Sequence, residues 1–155
     1  MKVFRIAAAS VARTRKEAFS GRGGLLAPGR WHTTGRLVVY TAESLSLAAL
    51  EILAHLKQTH HIRPFNAFAA EIPDDLILKP SSYPAHWQTR LPASRAFGNH
   101  WLDAGTTPAL LVPTVLTTGE WNVLLNPAHP KFSLDWITDG PRAYAFDARL
   151  LHLRR

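Results

Sequence analysis

The sequence predicts an α+β fold in which strands outnumber helices. Three observations lead there. Short runs rich in β-branched and aromatic residues recur along the chain. One long stretch, Leu45 to Gln58, favours helix throughout. The two patterns do not alternate as the βαβ units of a doubly wound parallel sheet would. The 155 residues suit one compact domain, taken as residues 1–155, and a composition 46% hydrophobic and 19% charged is too apolar for a disordered chain.

Val3 to Ala7 reads as the first strand. Phe19-Ser-Gly-Arg-Gly-Gly24 follows as a loop, its glycines opening backbone conformations closed to other residues. Leu37 to Tyr40 has the content of a second strand, and Ser44 is placed to cap the helix after it. In that helix Leu47, Leu50, Leu53, Ala54 and Lys57 fall at the spacing of one face. Phe65 to Ile72 alternates as a strand, and Pro80 to Pro92 is irregular. Pro108 to Leu116 and Trp121 to Leu125 read as further strands, with Ala143 to Phe146 the last. No internal repeat or low-complexity tract interrupts them.

Several classes of function are excluded early. Cysteine is absent, which removes disulfide frameworks, thiolate zinc sites and cysteine nucleophiles together. The apolar stretch Ile6 to Ala9 is far too short for a signal-peptide core. Thr106 to Gly119 is broken by Pro108 and Pro113 and is too short to span a bilayer as a helix. A cytoplasmic protein is therefore expected. Lys and Arg total 18 against 11 Asp and Glu, a net charge of +7, so the surface should attract anions without specifying which. Arg13 to Arg36 is the richest basic region, and a merely solvated surface accounts for it equally well.

Glu51 is the most informative single residue. It lies inside Leu47-Ala-Ala-Leu-Glu-Ile-Leu-Ala-His-Leu56, where a buried carboxylate would need a partner. From the helix alone the plainer account is preferred, in which Glu51, His55 and Gln58 form its wet stripe. Gly29-Arg-Trp-His32 gathers a guanidinium, an indole and an imidazole after a glycine-rich loop. That grouping suits a dinucleotide, with Arg30 on a diphosphate and an aromatic ring against a base; a core Trp between two surface side chains fits as well. Gly21-Arg-Gly-Gly24 lacks the Lys-Ser/Thr of a P-loop and the third glycine of a dinucleotide fingerprint. His55, His60 and His61 have no zinc-site spacing, so no metal is expected.

Taken in order, Gly29-Arg-Trp-His-Thr-Thr-Gly35, Val38-Val-Tyr-Thr-Ala-Glu-Ser44, Leu47-Ala-Ala-Leu-Glu-Ile-Leu53, Val112-Pro-Thr114 and Asn122-Val-Leu-Leu-Asn-Pro127 resemble the RES family. Val3-Phe-Arg5, Gly98-Asn-His-Trp-Leu102 and Phe146-Asp-Ala-Arg-Leu150 extend the likeness, leaving only Ile72 to Ala96 without a matching motif. The resemblance implies a fold similar to the ADP-ribosyltransferases and a toxin of a type II toxin–antitoxin system that cleaves the nicotinamide–ribose bond of NAD. The arginine, glutamate and serine that name the family fall on Arg30, Glu51 and Thr114. Threonine keeps the hydroxyl, adds a methyl and stiffens the rotamer.

In the implied site Glu51 stabilises the oxocarbenium-like sugar, Arg30 holds phosphate, and the Thr114 hydroxyl binds the nicotinamide ribose or amide. Tyr40 packs on nicotinamide or ribose, and Trp31, His32 and Asn122 complete the binding set. NAD enters as substrate, and water, phosphate or a protein side chain is the acceptor. The implied partner is a helix-turn-helix antitoxin of Xre type, with DNA reached only through it and self-association left open. Two other readings stand beside this one. One is an ADP-ribosyltransferase acting on a specific protein. The other is a nonenzymatic basic nucleic-acid-binding module built on Trp31, Tyr40 and Trp121.

Overall fold

The computed structural model describes residues 1–56 and 64–151. In chain order its elements are β1 (Lys2–Ala8), α1 (Arg15–Ala18), α2 (Gly23–Leu26), β2 (Val39–Ala42), α3 (Leu45–His55), β3 (Phe65–Glu71), β4 (Ile77–Leu78), α4 (Leu91–Ala104), β5 (Ala109–Pro113), β6 (Trp121–Leu125), β7 (Ile137–Tyr144) and α5 (Ala148–Leu151). Among the described residues the strands form one sheet in the order β4-β5-β6-β2-β1-β3-β7. Every pairing is antiparallel except β4 with β5. The α+β architecture is as the sequence predicts.

Several expectations need correction: the loop Phe19 to Gly24 runs into α2 at Gly23, and the strand expected to Leu116 ends at Pro113. β7 starts at Ile137 rather than Ala143, because an edge strand with an exposed middle carries no apolar alternation to read. Phe146 lies beyond it and packs edge-on against Phe65 and Tyr144. The second strand is shifted onward, leaving Leu37 and Val38 before β2. The helix α4 has no counterpart in the sequence reading, since Pro92 and Gly98 argue against helix. Pro92 falls in the first turn, where its missing N–H costs nothing.

α3 begins where Ser44 predicts it, the side-chain oxygen accepting from the Leu47 N–H at 3.0 Å. Its buried face differs from the expected one. Leu47, Ala48 and Ala49 are buried, whereas Leu50 and Ala54 are exposed. Leu45, Ile52, Leu53 and Leu56 pack beside the buried three, so the helix lies on the sheet along the 45–48–52–56 line. Lys57, Gln58, His60 and His61 lie outside the described residues.

Alternation along the strands divides the core. Ile6, Ala42 and Ala67 face α3, and Leu110, Val112 and Leu124 meet Trp31 and Trp101 beneath α4. On the other face Val3, Val39, Phe68 and Val123 pack against Ala12, Ala18 and Phe19. One irregularity positions the site. β1 pairs with β3 from Lys2 to Ala8, but with β2 only at Phe4 and Ala42. Arg5 bridges the interval beyond, its Nη1 donating to the Tyr40 carbonyl at 2.8 Å.

Candidate active site

A cavity of about 1180 Å³ borders the place where β1 and β2 part, somewhat larger than the usual small-molecule cleft. Arg30, Trp31, His32, Tyr40, Glu51, Thr114 and Asn122 all line it. Residues far apart in sequence are thus brought to one space by the loop before β2, by α3, and by the adjoining strands β5 and β6.

Glu51 is not part of a wet stripe. It is half-buried, and its Oε1 accepts from Thr114 Oγ1 at 3.0 Å and from Asn122 Nδ2 at 2.6 Å. Oε2 accepts no hydrogen bond among the described residues, so one carboxylate oxygen is anchored and the other left for a ligand. His55, one turn on, is exposed and bonds the Glu51 carbonyl at 2.7 Å. Thr114 also accepts from the Leu116 N–H at 3.1 Å, which sets its hydroxyl proton toward the carboxylate. Asn122 is 7% exposed, and its buried Oδ1 has no partner among the described residues. An orphan acceptor beside a carboxylate is a natural place for a hydroxyl donor.

Arg30 is held from behind. Its Nη1 donates to the carbonyls of Trp87 and Gln88 at 3.2 and 2.7 Å, and its guanidinium lies over the Trp87 ring. Nε and Nη2 make no hydrogen bond among the described residues, so they keep the donors an anion needs. Trp31 is 2% exposed and stacks on Trp87 with ring centroids 5.5 Å apart. The indole is a core anchor with no open face for a base. Trp121 likewise leans on Tyr83, so the aromatics named for nucleic-acid binding form no exposed platform.

His32 and Tyr40 are joined. The imidazole is 4% exposed, and its Nδ1 stands 2.8 Å from the Tyr40 hydroxyl. Nε2 lies 3.1 Å from the Ala27 carbonyl. Burial holds the imidazole below its ordinary pKa, and the charges of Arg95 and Arg36 act in the same direction against the Ala27 hydrogen bond. The Tyr40 hydroxyl is pushed well above its ordinary pKa, chiefly by burial.

Two arginines escape the sequence reading. Arg5 lines the cavity, its buried Nε has no partner among the described residues, and burial lowers its pKa to about 10. A guanidinium among the apolar residues of a first strand was the signal available. Arg95 also lines the cavity, its Nε donating to the Gly29 carbonyl at 2.9 Å. Among the described residues no His, Asp and Glu cluster is suited to a metal ion, and no helix is long and apolar enough to cross a membrane.

With this geometry in view, the chain can be set beside known proteins. The profile of the RES domain matches residues 2–147. A "Toxin Res" of Yersinia enterocolitica is 36% identical over 136 residues, covering 85% of this chain and 90% of the relative. The "Prs ADP-ribosylating toxin" of a Sphingobium species is 38% identical over 133 residues, covering 79% and 81%. Among solved structures, the M. tuberculosis MbcT–MbcA toxin–antitoxin complex contains a chain of similar fold. The TM-score is 0.59 at 16% identity, covering 80% of this chain and 72% of that one. The protein is a toxin-like α+β domain. It belongs to the RES domain family.

Proposed function

We propose that this RES-domain protein is the toxin of a type II toxin–antitoxin system and cleaves the bond between nicotinamide and ribose in NAD. The observation that carries the reading is Glu51, with Oε1 tethered to Thr114 and Asn122 and Oε2 unengaged in a cavity lined by Arg5, Arg30 and Arg95. As the C–N bond breaks, its electron pair leaves with nicotinamide and positive charge builds on the sugar. A fixed carboxylate stabilises that charge, and no strong general acid is needed because the leaving group departs neutral from a cationic ring. Arg30 and Arg5 would take the diphosphate, the orphan Asn122 Oδ1 and the Thr114 hydroxyl the ribose hydroxyls, and Tyr40 would pack on nicotinamide or ribose. Water or phosphate then attacks the sugar, making the enzyme a glycohydrolase or phosphorylase that depletes cellular NAD. The reaction needs no metal.

The name of the Sphingobium relative favours a second reading, in which a protein side chain is the acceptor. Both readings share the first step. The natural partner is an antitoxin of helix-turn-helix, Xre type, meeting the toxin in the cytoplasm and bringing DNA only indirectly. Incubating the purified protein with NAD, with and without phosphate, and weighing the products separates the acceptors. Glu51→Gln should lower cleavage at least ~100-fold, comparable to losing one transition-state electrostatic contact; an unchanged rate overturns the assignment. Expressed alone in bacteria, the chain should arrest growth with NAD falling before translation, and Arg30→Ala should relieve both. Arrest with NAD intact would shift the reading to a specific ADP-ribosyltransferase.

A further inference from the structure

His32 spends both ring nitrogens on the protein itself, leaving none for a ligand. A carbonyl can only accept, so the contact with Ala27 makes Nε2 the protonated nitrogen, and Nδ1 of the neutral ring is then an acceptor. Nδ1 meets two donors, the Tyr40 hydroxyl at 2.8 Å and the Gly29 N–H at 3.2 Å. The Tyr40 oxygen in turn accepts from the Trp31 N–H at 3.2 Å. The phenol therefore has its proton committed to His32 and one lone pair committed to the backbone.

The packing allows little else. A Cβ at Gly29 would lie 2.5 Å from the Tyr40 hydroxyl and 2.7 Å from His32 Cε1, so glycine at this position is what lets the loop close over the pair. The groups facing the imidazole are Tyr40 of β2, Arg95 of α4 and Arg36 of the intervening loop. No carboxylate is among them to welcome a second proton.

We infer that His32 is a positioning residue for Tyr40, its unprotonated Nδ1 fixing the hydroxyl so that the cavity receives the tyrosine ring rather than its phenolic proton. Protonating Nδ1 reverses the bond: the imidazolium donates to the phenolic oxygen, whose other lone pair can accept, and the phenolic proton turns away from His32 toward the cavity. The inference rests on the reading of this cavity as the NAD site. Its consequence is that turnover falls on acidification through His32.

The test pairs His32→Asn, whose amide oxygen can replace Nδ1 as acceptor, with His32→Leu, which offers none. His32→Leu should lower kcat/KM for NAD about tenfold or more, and His32→Asn should restore most of that loss. The acid limb of the wild-type kcat/KM profile, lying below the ordinary imidazole pKa, should recede to lower pH in His32→Asn. Independently of activity, 15N spectra assigned by the loss of one imidazole in His32→Asn should give a neutral ring protonated on Nε2 at pH 7. Equal rates for the Asn and Leu variants, coincident acid limbs, or an Nδ1-protonated ring overturns the inference. If His32→Leu fails to fold, the acid limb and the tautomer decide it. Failure of the NAD reading itself would instead leave the tautomer intact while Glu51→Gln cleaves as fast as wild type.

Discussion

The third residue of the family signature separates two roles that a hydroxyl can play. Thr114 donates to Glu51 and accepts from the Leu116 N–H, so its oxygen tethers both the carboxylate and the turn after β5. Thr114→Ser keeps that oxygen and should retain or raise NAD cleavage. Thr114→Val keeps the shape, frees Glu51 from one of its two anchors, and should cut kcat by roughly 10-fold or more, as for a lost charge-assisted hydrogen bond. Equal rates for Thr and Val would assign the tether to Asn122 alone. Arg5 is the matching case for binding. Arg5→Met removes a buried guanidinium whose Nε has no partner among the described residues, and should raise KM for NAD about tenfold or more with a smaller change in kcat, measured at saturating and limiting substrate. Glu51 was legible through the family motif alone, since the helical run by itself favoured a solvated side chain. What the run could not supply was the partner, since Thr114, just past the end of β5, and Asn122, on β6, lie more than sixty residues away. Arg5 stands out as a guanidinium in an apolar strand, but its partner was not legible, because the Tyr40 carbonyl across the gap between β1 and β2 is thirty-five residues away.

At the level of elements, the loop bearing Arg30 owes its shape to α4. Arg95, Gly98, Asn99 and Asp103 follow one another at helical spacing and meet that loop in turn. Arg95 bonds the Gly29 carbonyl, and Asn99 exchanges two hydrogen bonds with Thr33, at 3.1 and 3.0 Å. Asp103 pairs with Arg36. Between them the Trp31 carbonyl sits directly against Gly98, where any Cβ would collide with it. Gly98→Ala should therefore lower Tm by roughly 4–10 °C through overpacking and weaken NAD binding by shifting Arg30; calorimetry and KM measure the two effects. A melting curve unchanged by alanine would mean that the loop yields freely. The glycine that makes this contact also hid the helix from the sequence, because Gly98 and Pro92 both count against helix until their places in it are known. α3, with Ser44 at its start and few breakers inside, was legible at once. Even there the buried line was misjudged, since Leu50 and Ala54 satisfy the spacing yet face outward.

Across the whole molecule, a net charge of +7 and a cavity lined by Arg5, Arg30 and Arg95 should draw a dinucleotide in from a distance. Raising ionic strength from about 50 to 500 mM should lower kcat/KM for NAD several-fold while kcat changes little; a salt-independent kcat/KM would mean the field plays no part in capture. The class of fold was readable from short strands and one clear helix. The strand order was not, because β2 at the centre and β7 at the edge are assigned by pairings that local sequence does not encode. The single-residue contact of β1 with β2 gives the sheet an unusual weakness. Most sheets admit solvent only at their outer strands, whereas this one has a seam in its middle, closed by one guanidinium on one carbonyl. Backbone amides along the seam should exchange with deuterium faster than those of the β1–β3 ladder, although β1 borders both. A molecule that fills the cavity would seal the seam, so occupancy should be readable as slowed exchange in the interior of the sheet rather than at its rim.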